Sequence, residues 1–430
     1  MIELLNIFSF SLFLSLFFYL PFFKKNVSNK NIFLDNNDLK VISFLILINL
    51  LLILKLLNFN ITQITNIFYS IFFIFVIYFL TNFKKFLFEK NIYFYFIVNL
   101  IVLFILSIQV SNNLTLYWDA QKLWLPKAIV LYNNGSISDL QNSFYSHYSF
   151  LGSLSWAFFW KISSFEYEYF GRMFFLALYC FGLLNFLSLI NLDRNLKTIS
   201  FLLLVIITYD YWHFRGTQEI LIFSFLLILS KYLFNLILEN KSSKFNLSII
   251  LLFLNLIIWT KNEGILLSLI ISLIIFIFLK ENIRFKLIFF SLIIFLIFLR
   301  FAIFKLYGLD LDLSQDFNFS NIITIFINNF KTSNIYIILK YVIYSTVKFP
   351  HIVLSLFFAL LIIFDRKLFK KIIFLYVYLF LSIFLIFFIY LSSPQKLEFM
   401  VSTGSLRLLF EFSAPYLLFI LFYFKEKIKI

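Results

Sequence analysis

The residues best suited to chemistry lie in segment 117–128, which reads Tyr-Trp-Asp-Ala-Gln-Lys-Leu-Trp-Leu-Pro-Lys-Ala and directly follows a long apolar run. This segment places Asp119 between Trp118 and Trp124. A carboxylate at a membrane surface can act as a general base that takes the proton of an attacking hydroxyl group, provided that water is limited and a partner fixes its geometry. The alternative is that Asp119 caps the helix that follows and that the tryptophans are interfacial anchors.

Positively charged side chains and one histidine lie on the same predicted side of the membrane as Asp119. Lysine and arginine are usually enriched in cytoplasmic loops, so cations on the outer side need an explanation. Binding an anionic phosphate would provide one, because guanidinium groups hold phosphate oxygens bidentately. Snorkelling to lipid headgroups is the alternative for each of them. Two glutamates are spaced to orient the cations, as Arg215 with Glu219 and Lys261 with Glu263. The group comprises Lys127, His147, Arg172, Arg215, Lys261 and Arg407.

Motifs for nucleotides or zinc are absent from the sequence, which has no Walker loop, no GxGxxG and no HExxH. With three histidines and one cysteine, it predicts neither a zinc site built from histidines nor a disulfide framework. Three alternating aspartates in the 307–349 loop have spacing that suits a divalent cation, although such a run is also typical of a solvated loop. These residues are His147, His213, His351 and Cys180, and the aspartates Asp310, Asp312 and Asp316.

The composition shows which elements must hold these side chains. Hydrophobic residues make up 62% of the chain, charged residues 13%, and the mean hydropathy is +0.97, which excludes a soluble globular domain. Apolar runs approach the roughly 20 residues that cross a bilayer as a helix. The net charge of +15 is spread between these runs, so it indicates membrane topology and not nucleic-acid binding. We therefore expect an all-α, polytopic transmembrane bundle.

Lysine and arginine clusters divide the connections between runs into two sets, because cytoplasmic loops are enriched in these residues. The division predicts about thirteen spans. Two further apolar segments, 149–162 and 334–347, are short, and we interpret them as juxtamembrane helices at the outer surface. The predicted spans are 2–22, 41–58, 64–82, 91–110, 169–190, 197–212, 217–238, 246–260, 264–280, 286–306, 350–364, 371–391 and 408–424.

Three regions follow from this topology. Residues 1–110 form N-terminal transmembrane helices, of which the first three are an extra module and the fourth leads into the catalytic loop. Residues 111–168 form that outer loop. Residues 169–430 form a C-terminal bundle with outer loops 307–349 and 392–407. Polar residues of unusual type collect in the outer connections, so any function must be assembled there.

Several short motifs, in this order, resemble GT-C glycosyltransferases over residues 111–424. The first outer loop of that superfamily has an aspartate after a transmembrane helix and then a histidine segment. Here tandem acids are replaced by Asp119-Ala120, and the prolines after His147 by Ser149 and Phe150. The matching elements are Trp118-Asp119-Ala120, Lys127-Ala128, Tyr132, Gly135, His147 to Leu154, Gly171-Arg172, Thr260-Lys261-Asn262-Glu263-Gly264 and Ser405-Leu406-Arg407.

This resemblance implies an inverting transferase that moves a sugar from a polyprenyl-phosphate carrier to a lipid, glycan or protein acceptor. Asp119 would be the base. Lys261 and Arg407 would be the first candidates for the donor phosphate, whose developing charge needs cations near the membrane surface. The remaining residues follow in secondary roles: Lys127, Arg215 and His147 for the phosphate, and Glu263, Glu219, Arg172, Trp118 and Trp124 in support.

Two other classes of function remain open. A transporter or flippase for lipid-linked glycans would concentrate polar groups at the middle of its spans, whereas these spans are mostly Leu, Ile and Phe. A glycan polymerase or ligase would also use arginines in outer loops. The expected location is a bacterial inner membrane with the active site on the outer face. The expected partners are the lipid-linked donor, the acceptor and membrane lipids, with no nucleic acid and no certain cofactor.

Overall fold

The computed structural model describes residues 2–19, 36–81, 90–190, 192–239, 243–309 and 321–427. Within these ranges the regular structure is entirely helical, with no strand. The prediction of an all-α fold is therefore confirmed for the part of the chain that the structure describes. The helices form two compact units.

The first unit comprises Met1–Ser188, Leu192–Phe201 and Asp210–Leu221. Apolar residues that favour helices fill its long elements, and Pro126 stands at the start of a short one, where its missing N–H group costs no hydrogen bond. Its helices are α1 (Ile2–Tyr19), α2 (Asn36–Leu56), α3 (Ile61–Thr81), α4 (Lys90–Asn112), α5 (Leu125–Tyr132), α6 (Leu151–Ser163) and α7 (Tyr169–Leu187).

The core of the first unit is α7, whose residues are all buried and which packs against α1, α4 and α6. Gly171 permits the closest of these approaches, because a Cβ atom there would lie 2.3 Å from the carbonyl oxygen of Trp156. The segment predicted as a juxtamembrane helix at 149–162 forms α6. This helix has only 13 residues, and most of them are buried.

The second unit comprises Leu189–Asn191, Leu202–Tyr209 and Ile222–Ile430. Two helices, α8 and α9, contribute residues to both units. The helices from α8 onward are α8 (Arg194–Thr208), α9 (Glu219–Ile237), α10 (Ser243–Thr260), α11 (Glu263–Phe278), α12 (Ile283–Leu306), α13 (Ile322–Asn329), α14 (Thr332–Lys348), α15 (Pro350–Ile363), α16 (Arg366–Lys371), α17 (Ile373–Leu391), α18 (Leu397–Phe412) and α19 (Leu417–Lys427).

The second unit is built around α11 and α17, which pack on each other. The helix α11 also packs on α10 and α12, and α17 also packs on α18. Gly264 lets α10 and α11 meet closely, because a Cβ atom there would lie 2.1 Å from the carbonyl oxygen of Ile257. These helices carry the charged residues of the unit at their ends.

Six of the described helices are long and apolar enough to cross a membrane, or eight spans result if each of two bent helix pairs counts as one. The pairs are α13 with α14, bent by 89°, and α18 with α19, bent by 48°. Five further apolar helices are shorter, and α8, at the predicted span 197–212, has only 15 residues. The predicted number of about thirteen spans is therefore not confirmed.

Large apolar side chains lie exposed along the flanks of these helices. On α12 they include Phe295 and Phe298, which are 58% and 67% exposed, and on α17 Phe380 is 67% exposed. Such extensive apolar surface would be unfavourable in water, whereas hydrocarbon chains of lipid cover it without cost. Together with the long apolar helices, it indicates a membrane-spanning protein.

Candidate functional site

The segment that holds Asp119 has an unusual backbone. After α4, residues 113–117 are irregular, and the chain then forms a π-helix over Ala120–Trp124 that leads directly into α5. A π-helical turn is rare and is found most often at functional sites, because its extra residue redirects side chains. The sequence predicted the importance of this segment but not its geometry.

Asp119 lies directly before this turn and is 9% exposed. Its backbone is already helical, with φ −62° and ψ −38°, and its carboxylate accepts no capping hydrogen bond. The alternative in which Asp119 serves as a helix cap therefore finds no support. Trp118 is 55% exposed, whereas Trp124 is 1% exposed, so the two flanking tryptophans differ in role.

A second segment, 211–218, braces the turn from one side. The backbone N–H group of Tyr117 donates to the carbonyl of Arg215 at 3.1 Å. The Arg215 guanidinium returns two bonds to Thr115, one from Nε to the carbonyl at 2.8 Å and one to Oγ1 at 2.6 Å. Gly216 has φ +87°, and a Cβ atom there would lie 3.0 Å from the Cβ of Ala120. This packing fixes the backbone next to Asp119.

Lys127 is fully buried and holds the loop that contains His147. Its ammonium donates to the carbonyls of Tyr145 at 2.9 Å, Ser146 at 3.4 Å and Tyr148 at 2.7 Å. A lysine whose donors point at three backbone carbonyls acts as an internal brace. The predicted role of Lys127 in phosphate binding stays a prediction, while its bracing contacts are visible.

Arg172, which was predicted as a supporting residue, is held by an ion pair and a ring contact within the first unit. It is 1% exposed and makes two bonds to Glu168, from Nε at 3.0 Å and from the terminal nitrogen at 2.6 Å. Its guanidinium also lies over the ring of Trp156. Glu219 is fully buried at the first residue of α9, where a carboxylate suits the positive end of the helix.

Three buried polar groups lie near this segment, and of these Gln218 was missed by sequence reasoning. The amide of Gln218, the hydroxyl of Ser149 and the indole N–H of Trp124 have no hydrogen-bond partner among the residues that the structure describes. Gln218 packs on Gly152, where a Cβ atom would collide with its side chain. Buried polar groups normally find partners, so these are positions where a ligand hydroxyl group or water would be favourable.

Lys55 was missed as well, and it connects the first helices to the Asp119 segment. It is fully buried near the end of α2 and donates to the carbonyl of Gly135 at 2.6 Å. The hydroxyl of Thr62, in α3, donates to Asn134 Oδ1 at 2.7 Å. The α2–α3 connection therefore supports the residues that follow α5. A charged residue inside an apolar run is the signal that could have identified Lys55.

In the second unit, the predicted turn between α10 and α11 forms a buried ion cluster. Lys261 is 1% exposed, and its ammonium lies 2.9 Å from Glu411 Oε2 and 3.4 Å from Glu263 Oε1. The predicted pairing of Lys261 with Glu263 is therefore present, and Glu411 is a second, closer partner that the sequence did not suggest. Glu411 is fully buried at the end of α18.

Arg300 joins this turn from α12. It is 1% exposed and donates to the carbonyl of Ile258 at 2.7 Å, to the carbonyl of Lys261 at 3.3 Å and to Asn262 Oδ1. Sequence reasoning did not select Arg300. An arginine within an apolar span is costly unless it has partners or a function, and that cost is the signal that would have identified it.

Arg407 and Tyr390 complete the cluster. Arg407 lies four residues before Glu411 on α18, so the two side chains share one face of that helix. The Tyr390 hydroxyl is buried, has no hydrogen-bond partner among the described residues, and lies 2.9 Å from where a Cβ atom of Gly404 would be. Arg407 itself is half-buried. The two residues predicted first for the donor phosphate therefore lie in the same cluster.

Among the described residues, the cluster brings the cations Lys261, Arg300 and Arg407 together with the carboxylates of Glu263 and Glu411. Cations held by carboxylates in a buried site form a preorganised environment for an anion. Comparison with family models, with curated proteins and with solved structures finds no match to this chain. The functional interpretation therefore rests on the residues and on this geometry.

Metal binding finds no candidate within the described ranges, where no three His, Cys, Asp or Glu side chains are grouped to hold an ion. The predicted cation site at Asp310, Asp312 and Asp316 lies outside the described residues.

Proposed function

We propose that this protein is a membrane glycosyltransferase that moves a sugar from a polyprenyl-phosphate carrier to a lipid, glycan or protein acceptor with inversion at the anomeric carbon. The observation that carries this proposal is the buried cluster of Lys261, Arg300 and Arg407 with Glu263 and Glu411. A polyprenyl-phosphate sugar is a phosphodiester with one negative charge. Binding it would place that charge beside the cations of the cluster.

The cluster also suits the leaving group. As the bond between the anomeric carbon and the phosphate oxygen breaks, negative charge grows on the polyprenyl phosphate. Fixed cations stabilise such charge without reorganising, and this term is usually among the largest in catalysis. Glu263 and Glu411 would keep Lys261 oriented when no donor is bound.

An apolar groove in the same unit offers space for a prenyl chain. It is a cavity of about 310 Å³ between α13, α14 and α17, lined almost entirely by phenylalanine, isoleucine and leucine. One of its lining residues, Leu391, directly follows Tyr390. The hydroxyl of Tyr390 packs on Gly404 in α18, the helix that carries Arg407. A charged head site that adjoins an apolar groove along one helix favours an amphipathic, lipid-linked ligand.

Asp119 is the candidate general base. In the proposed step the acceptor hydroxyl oxygen bonds to the anomeric carbon while the carbon–phosphate oxygen bond breaks, and the hydroxyl proton passes to the Asp119 carboxylate. The polyprenyl phosphate leaves with the electron pair of the broken bond. The π-helix at Ala120 and the brace from Gly216 support this role, because both constrain the backbone beside the carboxylate.

We further propose the full topology of about thirteen spans, in which the shorter apolar helices and α8 also cross. A helix of 14 to 17 residues is shorter than the roughly 30 Å hydrocarbon core, and local thinning of the bilayer accommodates the difference at modest cost. In this topology the Asp119 segment and the Lys261 turn face the outside of a bacterial inner membrane.

A transporter is the less favoured function. Transporters bind their cargo near the bilayer midplane on broken helices. Lys261 instead lies in the turn between α10 and α11.

The decisive experiment uses purified protein in vesicles that contain a radiolabelled polyprenyl-phosphate sugar and a glycan acceptor. We expect Asp119→Asn to lower transfer by about 10² to 10⁴, the usual contribution of general base catalysis. Asp139→Asn is the matched control, since Asp139 lies in the same outer segment but bonds only to Ser136 through its carboxylate. Undiminished transfer by Asp119→Asn would remove Asp119 from catalysis.

The same vesicles distinguish the other classes of function. Movement of the donor without cleavage would indicate transport, and cleavage of a diphosphate carrier would indicate a polymerase or ligase.

A further inference from the structure

A second charged pocket lies at the opposite end of the second unit from the Lys261 cluster. It has a volume of about 530 Å³ and lies where α9, α11 and α19 end and α16 and α17 meet. The helix α11 runs from Glu263, in the cluster, to Phe278, in the pocket wall, over 16 residues. At 1.5 Å per residue the two sites are about 24 Å apart, close to the thickness of a hydrocarbon core.

The charged lining of this pocket is unbalanced. Two of its four lysines are paired within the pocket, Lys371 with Glu426 at 2.8 Å and Lys425 with Glu239 at 2.7 Å. The other two, Lys280 and Lys370, are exposed and make no ion pair with any residue that the structure describes. The pocket therefore presents two surplus positive charges.

The remaining lining is apolar, and it comes from phenylalanines and isoleucines at the helix ends. Phe374 is fully buried and Phe422 is 2% exposed. The ammonium of Lys425 lies 4.9 Å from the centre of the Phe234 ring, so charged and aromatic groups are in direct contact. A ligand that fits this lining needs an anionic group next to a hydrocarbon group.

We infer that this pocket binds the headgroup phosphate of an anionic phospholipid, with Lys280 and Lys370 at the phosphate oxygens and the aromatic wall against the first carbons of the acyl chains. Basic pockets between transmembrane helices suit anionic headgroups, whereas a free phosphate ion gains nothing from an apolar wall. The pocket lies at helix ends, and the ends of helices that cross a bilayer meet its headgroups. This inference is independent of the transferase proposal, because the pocket and the Lys261 cluster share no residue.

The test measures lipid bound to detergent-purified, delipidated protein by native mass spectrometry, with phosphatidylglycerol and phosphatidylcholine as the two probes. We expect wild-type protein to retain phosphatidylglycerol preferentially. In the variant Lys280→Gln with Lys370→Gln, its apparent affinity should fall about tenfold or more, since each lysine near an anionic surface contributes on the order of 1 kcal/mol.

The matched control is Lys305→Gln with Lys340→Gln, which removes the same charge from exposed lysines of the same unit outside the pocket. We expect this control to bind phosphatidylglycerol like wild type and both variants to keep the wild-type unfolding temperature. Equal binding of the two lipids, or no loss in the pocket variant, would overturn the inference. Complete displacement of phosphatidylglycerol by excess inorganic phosphate would also overturn it, because it would show a site for the free ion.

Discussion

Two charged centres have been described, one around Asp119 and one around Lys261, and the cations in them have different kinds of bonding partner. Around Asp119 the cations are mostly used by the architecture: Lys127 bonds to three backbone carbonyls, and Arg215 to Thr115. Around Lys261 the cations face carboxylates, since Lys261 lies between Glu411 and Glu263. The first centre therefore offers chemistry mainly through its carboxylate, and the second through its cations.

This difference indicates which cations are able to take a ligand. A lysine that bonds to carbonyls must give up those hydrogen bonds in order to turn toward a phosphate, and each hydrogen bond to a charged group contributes about 1.5 to 3 kcal/mol. A lysine held by carboxylates keeps its position while an anion adds to the cluster. The sequence alone could not separate these two classes, because it shows the charge of Lys127 and Lys261 but not their partners.

The largest expected effect comes from breaking the ion pair at the second centre. Glu411→Gln removes the closer of the two carboxylates described around the buried Lys261, and we expect unfolding to become easier by about 3 kcal/mol, as is typical when one partner of a buried pair is removed. Adding Lys261→Met should recover most of this loss, because no buried charge is then unpaired. Unfolding in detergent measures both effects.

Measuring transfer activity in the same variants shows whether Lys261 binds the donor or only stabilises the fold. If Lys261 binds the donor phosphate, the stable double variant remains inactive with a polyprenyl-phosphate sugar. Full activity in the double variant would show that Lys261 and Glu411 form a purely structural pair. In that case the comparison between the two centres would fail.

The next largest effect is expected at Lys127. Lys127→Met removes a buried ammonium and the hydrogen bonds that it donates to the carbonyls of Tyr145, Ser146 and Tyr148. We expect the free energy of unfolding to fall by about 2 to 3 kcal/mol. The variant loses hydrogen bonds from a charged donor, but it no longer has to remove a charge from water, so the two effects partly cancel. Unfolding in detergent measures this loss.

The donor KM distinguishes a brace from a phosphate ligand. Among the Lys127→Met molecules that remain folded, a brace predicts an almost unchanged KM for the polyprenyl-phosphate donor. A tenfold rise in that KM without loss of stability would instead assign Lys127 to the phosphate and would contradict the comparison.

The helical class and the Lys261–Glu263 contact could be predicted from the sequence, because each depends on local pattern. Long apolar runs must form helices in a membrane, and two residues in one tight turn must be neighbours. Glu411 is 150 positions from Lys261, and only the packing of the second unit brings them together. The number of spans was not confirmed because charge bias and hydropathy do not fix the lengths of helices that end early.

A smaller effect is expected at Gly216, which tests how tightly the first centre is held. Gly216→Ala places a side chain at φ +87°, with a Cβ atom 2.9 Å from the Trp156 ring and 3.0 Å from Ala120. Backbone strain of this kind costs about 1 to 2 kcal/mol. Because the new methyl group presses on the residue next to Asp119, we expect kcat to fall by about tenfold, as small misplacements of a catalytic group do.

Gly308→Ala provides the matched control, since Gly308 has φ +62° but lies after α12, in the other unit. It should lower stability by a comparable amount and leave kcat unchanged. An equal fall in kcat in both variants would mean that general destabilisation, and not the position of Asp119, limits the rate.

The smallest effect concerns a third kind of charge, a partly exposed carboxylate at the start of α16. Asp365 caps α16 through bonds from the N–H groups of Lys367 and Leu368, and Lys427 lies 3.0 Å from its other oxygen. The hydrogen bond from Lys427, followed by that from Leu368, holds the pKa of Asp365 below its ordinary value of 3.8.

Because its pKa is lower in the folded state, Asp365 contributes stability that is fully present above the unfolded pKa and is lost as the pH falls through the folded one. The difference in unfolding temperature between wild type and Asp365→Asn should therefore be small at neutral pH and vanish in acid. Added salt should weaken it further, because exposed pairs are screened. A difference as large as that of Glu411→Gln would show that burial does not determine what these charges contribute.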